Sequence, residues 1–456
     1  MSRILYASLL TALIISSLKA DDPAKSTTPS AESASLPRYK LTPGIELNYF
    51  SRSSFKYGEG KAQGEHLTTD KDTLWVLRKN SDGSFRILHR NVSKFTQVRE
   101  GKEWGGQTSN SVVYVDMFTD GRILPNSTIQ YHGSPEMMFP RLPKDLKEAQ
   151  SGWNTTEEDS TISAKPNGNR FVVTQTDLFS KIYLSSKTIT YTFDAKSGFI
   201  SNFEVTTKQG YGFNGKGTGT GELTSQKTLP EAELTKLTAD TDNYFKSLEK
   251  YEELTTAAAK LEPEKCKESL GKGKEILKNA LASINQADLK KDLEKKIEEH
   301  DRMTNYYVEE ATTRAKIVGK PAHEFKADDL EAKAFELNKM RGKVVILDFW
   351  YRGCGWCVKA MPQMNQLTAD FADKPVAILG MNTDSNKEDA EFVVKEMALK
   401  YRTLRVEHEM SKHFGVRGFP SLVIIDKKGI VRDIHVGYSK TLREEVGKTI
   451  RELLAE

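Results

Sequence analysis

Residues 344–362, VVILDFWYRGCGWCVKAMP, constrain the fold more than any other stretch of this chain. The apolar, β-branched run 344–349 suits a strand buried on both faces. It turns at Arg352-Gly353, presents Cys354-Gly355-Trp356-Cys357, and continues into helix-compatible residues with Pro362 five positions past the second cysteine. A helix starting there sets unpaired N–H groups and partial positive charge beside the first sulfur, which stabilises a thiolate. Two intervening residues let the second sulfur close back onto the first, so a redox site is expected. A zinc half-site is the competing reading, but it needs two more ligands. The only other cysteine is Cys266, and His408, His413 and His435 show no ligand spacing, so no metal is expected.

Several positions around this stretch match a known pattern. Asp348 lies six residues before Cys354, Trp350 follows Phe349, and Pro362 falls inside the expected helix. Downstream come Gly415-Val-Arg-Gly-Phe-Pro420-Ser, a strand over 422–425, an Asp426-Lys-Lys-Gly429 turn, a strand over 430–436 and a closing helix within 440–456. Together these resemble the thioredoxin superfamily. The resemblance implies a buried, proton-accepting carboxylate at Asp348 and a cis proline at Pro420 facing the disulfide. From the residues alone, Asp348 could be an ordinary strand-end carboxylate; its apolar neighbours on both sides favour a perturbed, protonatable acid.

The chain has 456 residues, with 29% charged, 38% hydrophobic and a net charge of +4. That length allows two to four domains, and the excess charge is too small to argue for nucleic acid. Residues 1–20 carry Arg3, an apolar run over 4–15 and small residues up to Ala20, the pattern of a secretory signal peptide. Cleavage is simplest after Ala20, although Leu18 is larger than ideal at its position. An uncleaved anchor is the alternative, but the apolar run is short for a span. Either way the chain is expected outside the cytosol, in the periplasm or cell envelope. An exported chain with only three cysteines is not stapled by disulfides, so its C-x-x-C reads as a working pair. Cys266 reads as a small buried hydrophobe rather than a resolving thiol.

Residues 21–42 are rich in Ser, Thr, Ala and Pro and read as a flexible linker. Residues 43–228 alternate apolar and polar positions between turn signals such as Asn80-Ser-Asp-Gly83 and Lys196-Ser-Gly198. They read as an all-β, antiparallel meander forming a curved sheet, barrel or sandwich. Gly210-Tyr-Gly-Phe-Asn-Gly215-Lys216-Gly217 nearly spells a phosphate-binding loop. It lacks the final hydroxyl residue and does not open a helix, so a glycine-rich edge strand is the better reading.

Residues 229–317 read as a helical spacer with helices over 230–261, 263–284 and 287–315, two of them opened by Pro230 and Pro263. The last carries Leu289, Leu293, Ile297, His300, Tyr307 and Ala311 on one stripe, expected to pack on neighbouring helices.

Residues 318–456 resemble the TlpA/ResA branch of exported thiol–disulfide oxidoreductases, on Val318-Gly-Lys-Pro-Ala-His-Glu-Phe, Phe335-Glu-Leu and Arg341-Gly-Lys-Val-Val-Ile-Leu-Asp-Phe-Trp. That branch implies an α/β thioredoxin-like fold with an N-terminal strand, an added strand over 376–382 and a helix over 387–400. It also implies protein disulfide substrates and a membrane thiol electron donor, with no dissociable cofactor beyond the Cys354–Cys357 pair. Cys354, nearer the helix terminus and expected to be more exposed, reads as the attacking thiolate and Cys357 as the resolving thiol. Trp350, Trp356 and Phe419 are expected to shape the docking groove. Two positions depart from the branch: Ala360 stands where its members often carry glutamate, and Trp356 stands where thioredoxins carry proline. The competing functions are an oxidase or isomerase for exported proteins, and a ligand- or partner-binding β domain, its partner unidentified, with the redox domain as sensor. A peroxidase lacks support, because residues 358–362 do not supply a peroxidatic sequence.

Overall fold

A computed structural model describes residues 36–58, 63–124, 139–151, 153–157, 160–167, 170–177, 182, 185–210, 214–258 and 260–456. The signal-peptide reading lies outside these residues, as does most of the linker reading. Among the described residues no helix is long and apolar enough to cross a membrane.

The β-rich region forms a ten-stranded antiparallel sheet. Its strands are β1 (Ile45–Tyr57), β2 (Gly64–Lys79), β3 (Phe85–Arg99), β4 (Lys102–Met117), β5 (Trp153–Glu157), β6 (Ser160–Asn167), β7 (Arg170–Asp177), β8 (Ser186–Asp194), β9 (Phe199–Gln209) and β10 (Gly215–Thr228). A short helix, α1 (Leu146–Ser151), precedes β5. The strands do not run as one meander. β1–β4 form one ladder and β5–β10 another, and the two join where β1 pairs with β10. The turn signals at 80–83 and 196–198 marked the β2–β3 and β8–β9 hairpins but carried no information on this long-range pairing.

The run Leu74-Trp75-Val76-Leu77 shows why the first ladder forms. Successive side chains leave a strand on opposite faces. Leu74 and Val76 enter a core shared with Ile87, Val115, Val173, Tyr191 and Phe193, so side chains of both ladders meet around one interior. Trp75 and Leu77 face the other way and meet three helices. The linker reading is corrected here. Tyr39 and Leu41 are buried in the first core, and the Tyr39 hydroxyl donates to the Pro140 carbonyl at 2.8 Å, so the domain begins by residue 36 rather than 43. The composition of 21–42 masked these two large apolar side chains.

Gly215 and Gly217 of the near-phosphate-loop stretch lie on β10, as do Gly219 and Gly221 beyond it, and residues 211–213 of that stretch fall outside the described residues. A Cβ on Gly221 would sit 2.2 Å from Phe203 Cζ. Gly221→Val should therefore destabilise the fold by about 1–3 kcal/mol through overpacking. Denaturant unfolding reads this directly, and an unchanged midpoint would contradict it.

The three helices are α2 (Glu231–Ala258), α3 (Pro263–Ser283) and α4 (Ala287–Ile317), close to the sequence expectation. The Asp240 carboxylate accepts from the Asn285 and Gln286 amides at 2.9 and 2.7 Å, and the Gln286 side chain caps α4, which fixes the break between α3 and α4. These helices are not a free spacer. Leu237, Tyr244, Phe245, Leu277, Leu289 and Leu293 pack on Trp75, Leu77, Leu88 and Val112 of the sheet. Cys266 is fully buried beside Ala258, Leu270 and Ala311, and His300 is a buried partner of the Tyr251 hydroxyl.

At its far end α4 docks on the C-terminal domain, where Arg314 pairs with Asp433 and donates to the Ile434 carbonyl at 2.7 Å. That domain opens with the hairpin β11 (Lys326–Asp328) and β12 (Ala334–Glu336). Its five-stranded sheet has the order β15-β14-β13-β16-β17. The strands are β13 (Val344–Trp350), β14 (Val376–Asn382), β15 (Arg402–Arg405), β16 (Ser421–Ile425) and β17 (Val431–Val436). Helices α5 (Gly355–Asp370), α6 (Lys387–Glu396), α7 (His408–His413) and α8 (Leu442–Ala455) complete it. β13 runs parallel to β14 and antiparallel to β16, and every one of its residues is buried.

Candidate active site

β13 positions the site by alternation. Val345, Leu347 and Phe349 enter one core, while Val344 and Ile346 enter the opposite one, where they meet Ala360, Met364 and Leu367 of α5. Asp348 and Trp350 share the α5 face by the same period of two. α5 begins immediately beyond the turn that follows β13. Cys354 is its N-cap residue, and the Cys354 Sγ accepts the Cys357 N–H at 3.1 Å. The first sulfur thus sits on the positive end of the helix. Cys354 and Cys357 are joined by a disulfide, with Cα atoms 5.2 Å apart.

Asp348 is buried, and burial pushes its carboxyl up from an ordinary 3.8 to about 7. Opposing this, the Tyr401 hydroxyl donates to Asp348 Oδ2 at 2.8 Å and favours the ionised form. Tyr401, immediately before β15, is itself pushed well above its usual range by burial and by Asp348. Tyr401→Phe should raise the Asp348 pKa above about 7. A titration of the Asp348 carboxyl by carbon NMR checks this, and a fall would contradict it. Gly380 pairs with Asp348 in register, and a Cβ there would lie 2.8 Å from both Trp350 Nε1 and Thr403 Oγ1. This strand position therefore accepts only glycine.

The Phe419–Pro420 bond is cis. Phe419 packs edge-on against Tyr351 at 5.3 Å and borders the cluster that holds both cysteines. Trp356 is 41% exposed, stacks on Tyr438 at 5.6 Å and carries Lys359 Nζ 4.7 Å over its ring. Tyr351 with Phe419 and Trp356 with Tyr438 thus form two aromatic pairs. Two expectations need correction. Trp350 is fully buried under the cysteines and cannot touch a docked chain. Cys354 is only 5% exposed, little more than Cys357 at 2%, so the expected difference in access is nearly absent.

Sequence reasoning missed Tyr401 and the setting of Arg352. The Arg352 Nη1 pairs with Asp389 at 2.8 Å, its guanidinium lies 4.1 Å over Phe392, and its backbone N–H donates to Asp384 at 2.9 Å. Nothing in local spacing signals these contacts between separate elements. Among the described residues no group of His, Cys, Asp and Glu is arranged to hold a metal ion.

A disulfide at a helix N-terminus, after a central strand, in a domain that also carries a cis Phe419–Pro420 bond, defines a thioredoxin-like redox domain. The AhpC/TSA family model matches residues 318–434. The chain is 35% identical over 135 residues to the thiol–disulfide oxidoreductase ResA of Bacillus thuringiensis subsp. konkukian, covering 29% of this chain and 78% of that protein. It is 32% identical over 123 residues to the thioredoxin-like protein YneN of Bacillus subtilis, covering 26% of this chain and 71% of that protein. The crystal structure of the thioredoxin domain of a thiol–disulfide oxidoreductase from Bacteroides vulgatus aligns at 26% identity with a TM-score of 0.28, covering 29% of this chain and 97% of that one. Through its C-terminal domain the chain belongs to the ResA-type thiol–disulfide oxidoreductases.

Proposed function

We propose that the chain is an exported reductase of protein disulfides. The observation that carries this reading is the Cys354 sulfur held on the N-terminus of α5, disulfide-linked to Cys357, with a buried Asp348 of pKa about 7 on the same face. In the reduced protein the Cys354 thiolate attacks one sulfur of a substrate disulfide. A Cys354–substrate bond forms and the other substrate sulfur leaves as a thiolate. Cys357 then gives its proton to the Asp348 carboxylate and attacks Cys354 Sγ. The Cys354–Cys357 bond forms, the second substrate thiolate leaves, and the substrate has gained two electrons. Pro420 and Phe419 border the substrate at Cys354, and Trp356 extends the surface on which it docks.

The ResA resemblance supports the reductive direction and a membrane thiol as electron donor. The apolar leader of residues 1–20 supports placement in the cell envelope. The test is stoichiometric transfer. The full chain, reduced and freed of reductant, should reduce one insulin disulfide for each Cys354–Cys357 bond it forms. A reduced chain that leaves insulin intact, while the oxidised chain converts a dithiol to its disulfide and is itself reduced at Cys354–Cys357, would favour the oxidase or isomerase reading.

A further inference from the structure

An attacking sulfur needs access, yet Cys354 is almost closed off. Part of the cover comes from outside the redox domain. Ile182 belongs to the β-rich region, between β7 and β8, and its side chain is fully buried in the apolar cluster that holds Leu330, Cys354, Cys357, Val358, Met361 and Val393. Its carbonyl oxygen accepts from Arg352 Nη2 at 3.2 Å. Arg352 is a fixed donor, held by Asp389 and stacked on Phe392. An apolar side chain beside the disulfide and a backbone carbonyl on a fixed donor are what an extended substrate chain would supply at this place.

We propose that Ile182 occupies a substrate subsite of its own redox domain. The subsite, lined by Leu330, Val358, Met361 and Val393 with Arg352 at its edge, takes an aliphatic side chain next to the substrate cysteine. Ile182 holds that place until a substrate displaces it. The inference rests on the reading that Cys354 is the attacking thiolate. It means that the β-rich region competes with substrate and sets a threshold that weakly apolar partners do not cross. The apparent affinity for substrate is then reduced by the fraction of molecules in which Ile182 is seated.

The test uses the full chain with Cys266→Ser and either the native residue, Ile182→Val or Ile182→Ala. Two rates are measured: iodoacetamide modification of Cys354 in the reduced protein with Cys357→Ser added, and insulin reduction with Cys357 intact. Both should rise in the order Ile, Val, Ala, reaching roughly ten- to a hundredfold for Ala, as expected for losing most of one buried aliphatic side chain. The reduction potential should not move. The Val variant removes one methylene and keeps the comparison valid if the Ala variant fails to fold. Equal modification rates across the series, or slower insulin reduction in the variants, would overturn the proposal. If no variant reduces insulin, the reductase reading fails, and the modification rates alone still decide whether Ile182 covers Cys354.

Discussion

Replacing Asp348 by Asn should favour the oxidised protein by about 4 kcal/mol more at pH 8 than at pH 3. In the unfolded chain the Asp348 carboxyl ionises near 3.8, whereas in the folded chain burial holds it to about 7. Between those values the folded protein keeps a proton that the unfolded chain has released. Stability therefore falls as pH rises through that window and is flat above it. At 1.36 kcal/mol per pH unit, the full loss is of order 4 kcal/mol. Asn carries no such loss, and its carbonyl can still accept the Tyr401 hydroxyl. Its amide adds buried donors, which offsets the gain by about 1–3 kcal/mol at every pH if they stay unpaired. The pH-dependent part is the signature. Guanidinium unfolding at pH 4 and pH 8 measures it, and a difference between variant and native protein that ignores pH would contradict the assignment. The same variant should resolve mixed disulfides more slowly, because the acceptor for the Cys357 proton is gone.

The second large effect is expected at the cysteines. Cys357→Ser should react once with a protein disulfide and stop, leaving a stable adduct on Cys354, with turnover at the uncatalysed level. Cys354→Ser should form no adduct and show no turnover. The asymmetry follows from geometry, since Cys354 caps α5 and takes the Cys357 N–H while Cys357 lies within the helix. Intact-mass measurement after exposure to insulin distinguishes the two. An adduct on Cys354→Ser would make Cys357 the entry sulfur and reverse the proposed order.

How much of this was legible depends on the reach of each signal. The redox pair, its strand and its helix lie in one unbroken stretch, residues 344–370, so local pattern was enough. Pro420 and Phe419 are distant, but a recognisable loop marked them. The helical region was legible because Pro230 and Pro263 open two of its helices, yet its packing on the sheet depended on Trp75 and Leu77 of β2 and Leu88 of β3, whose partners lie far away in sequence. Tyr401, Gly380 and Ile182 gave no signal. Each matters only for what a separate element brings against it: Asp348 for Tyr401, Trp350 and Thr403 for Gly380, and Arg352 for Ile182. Trp350 was misplaced because its neighbour pattern matches the family while its side chain turns inward.

The central claim is that Cys354 and Cys357 deliver electrons to protein disulfides. The most direct test is the reduction potential of the pair in the full chain carrying Cys266→Ser, titrated in defined thiol buffers. The account predicts a value near that of thioredoxin, about −270 mV, or below. A value of about −120 to −180 mV, typical of strong oxidants and isomerases, would contradict it and assign the chain to oxidative folding.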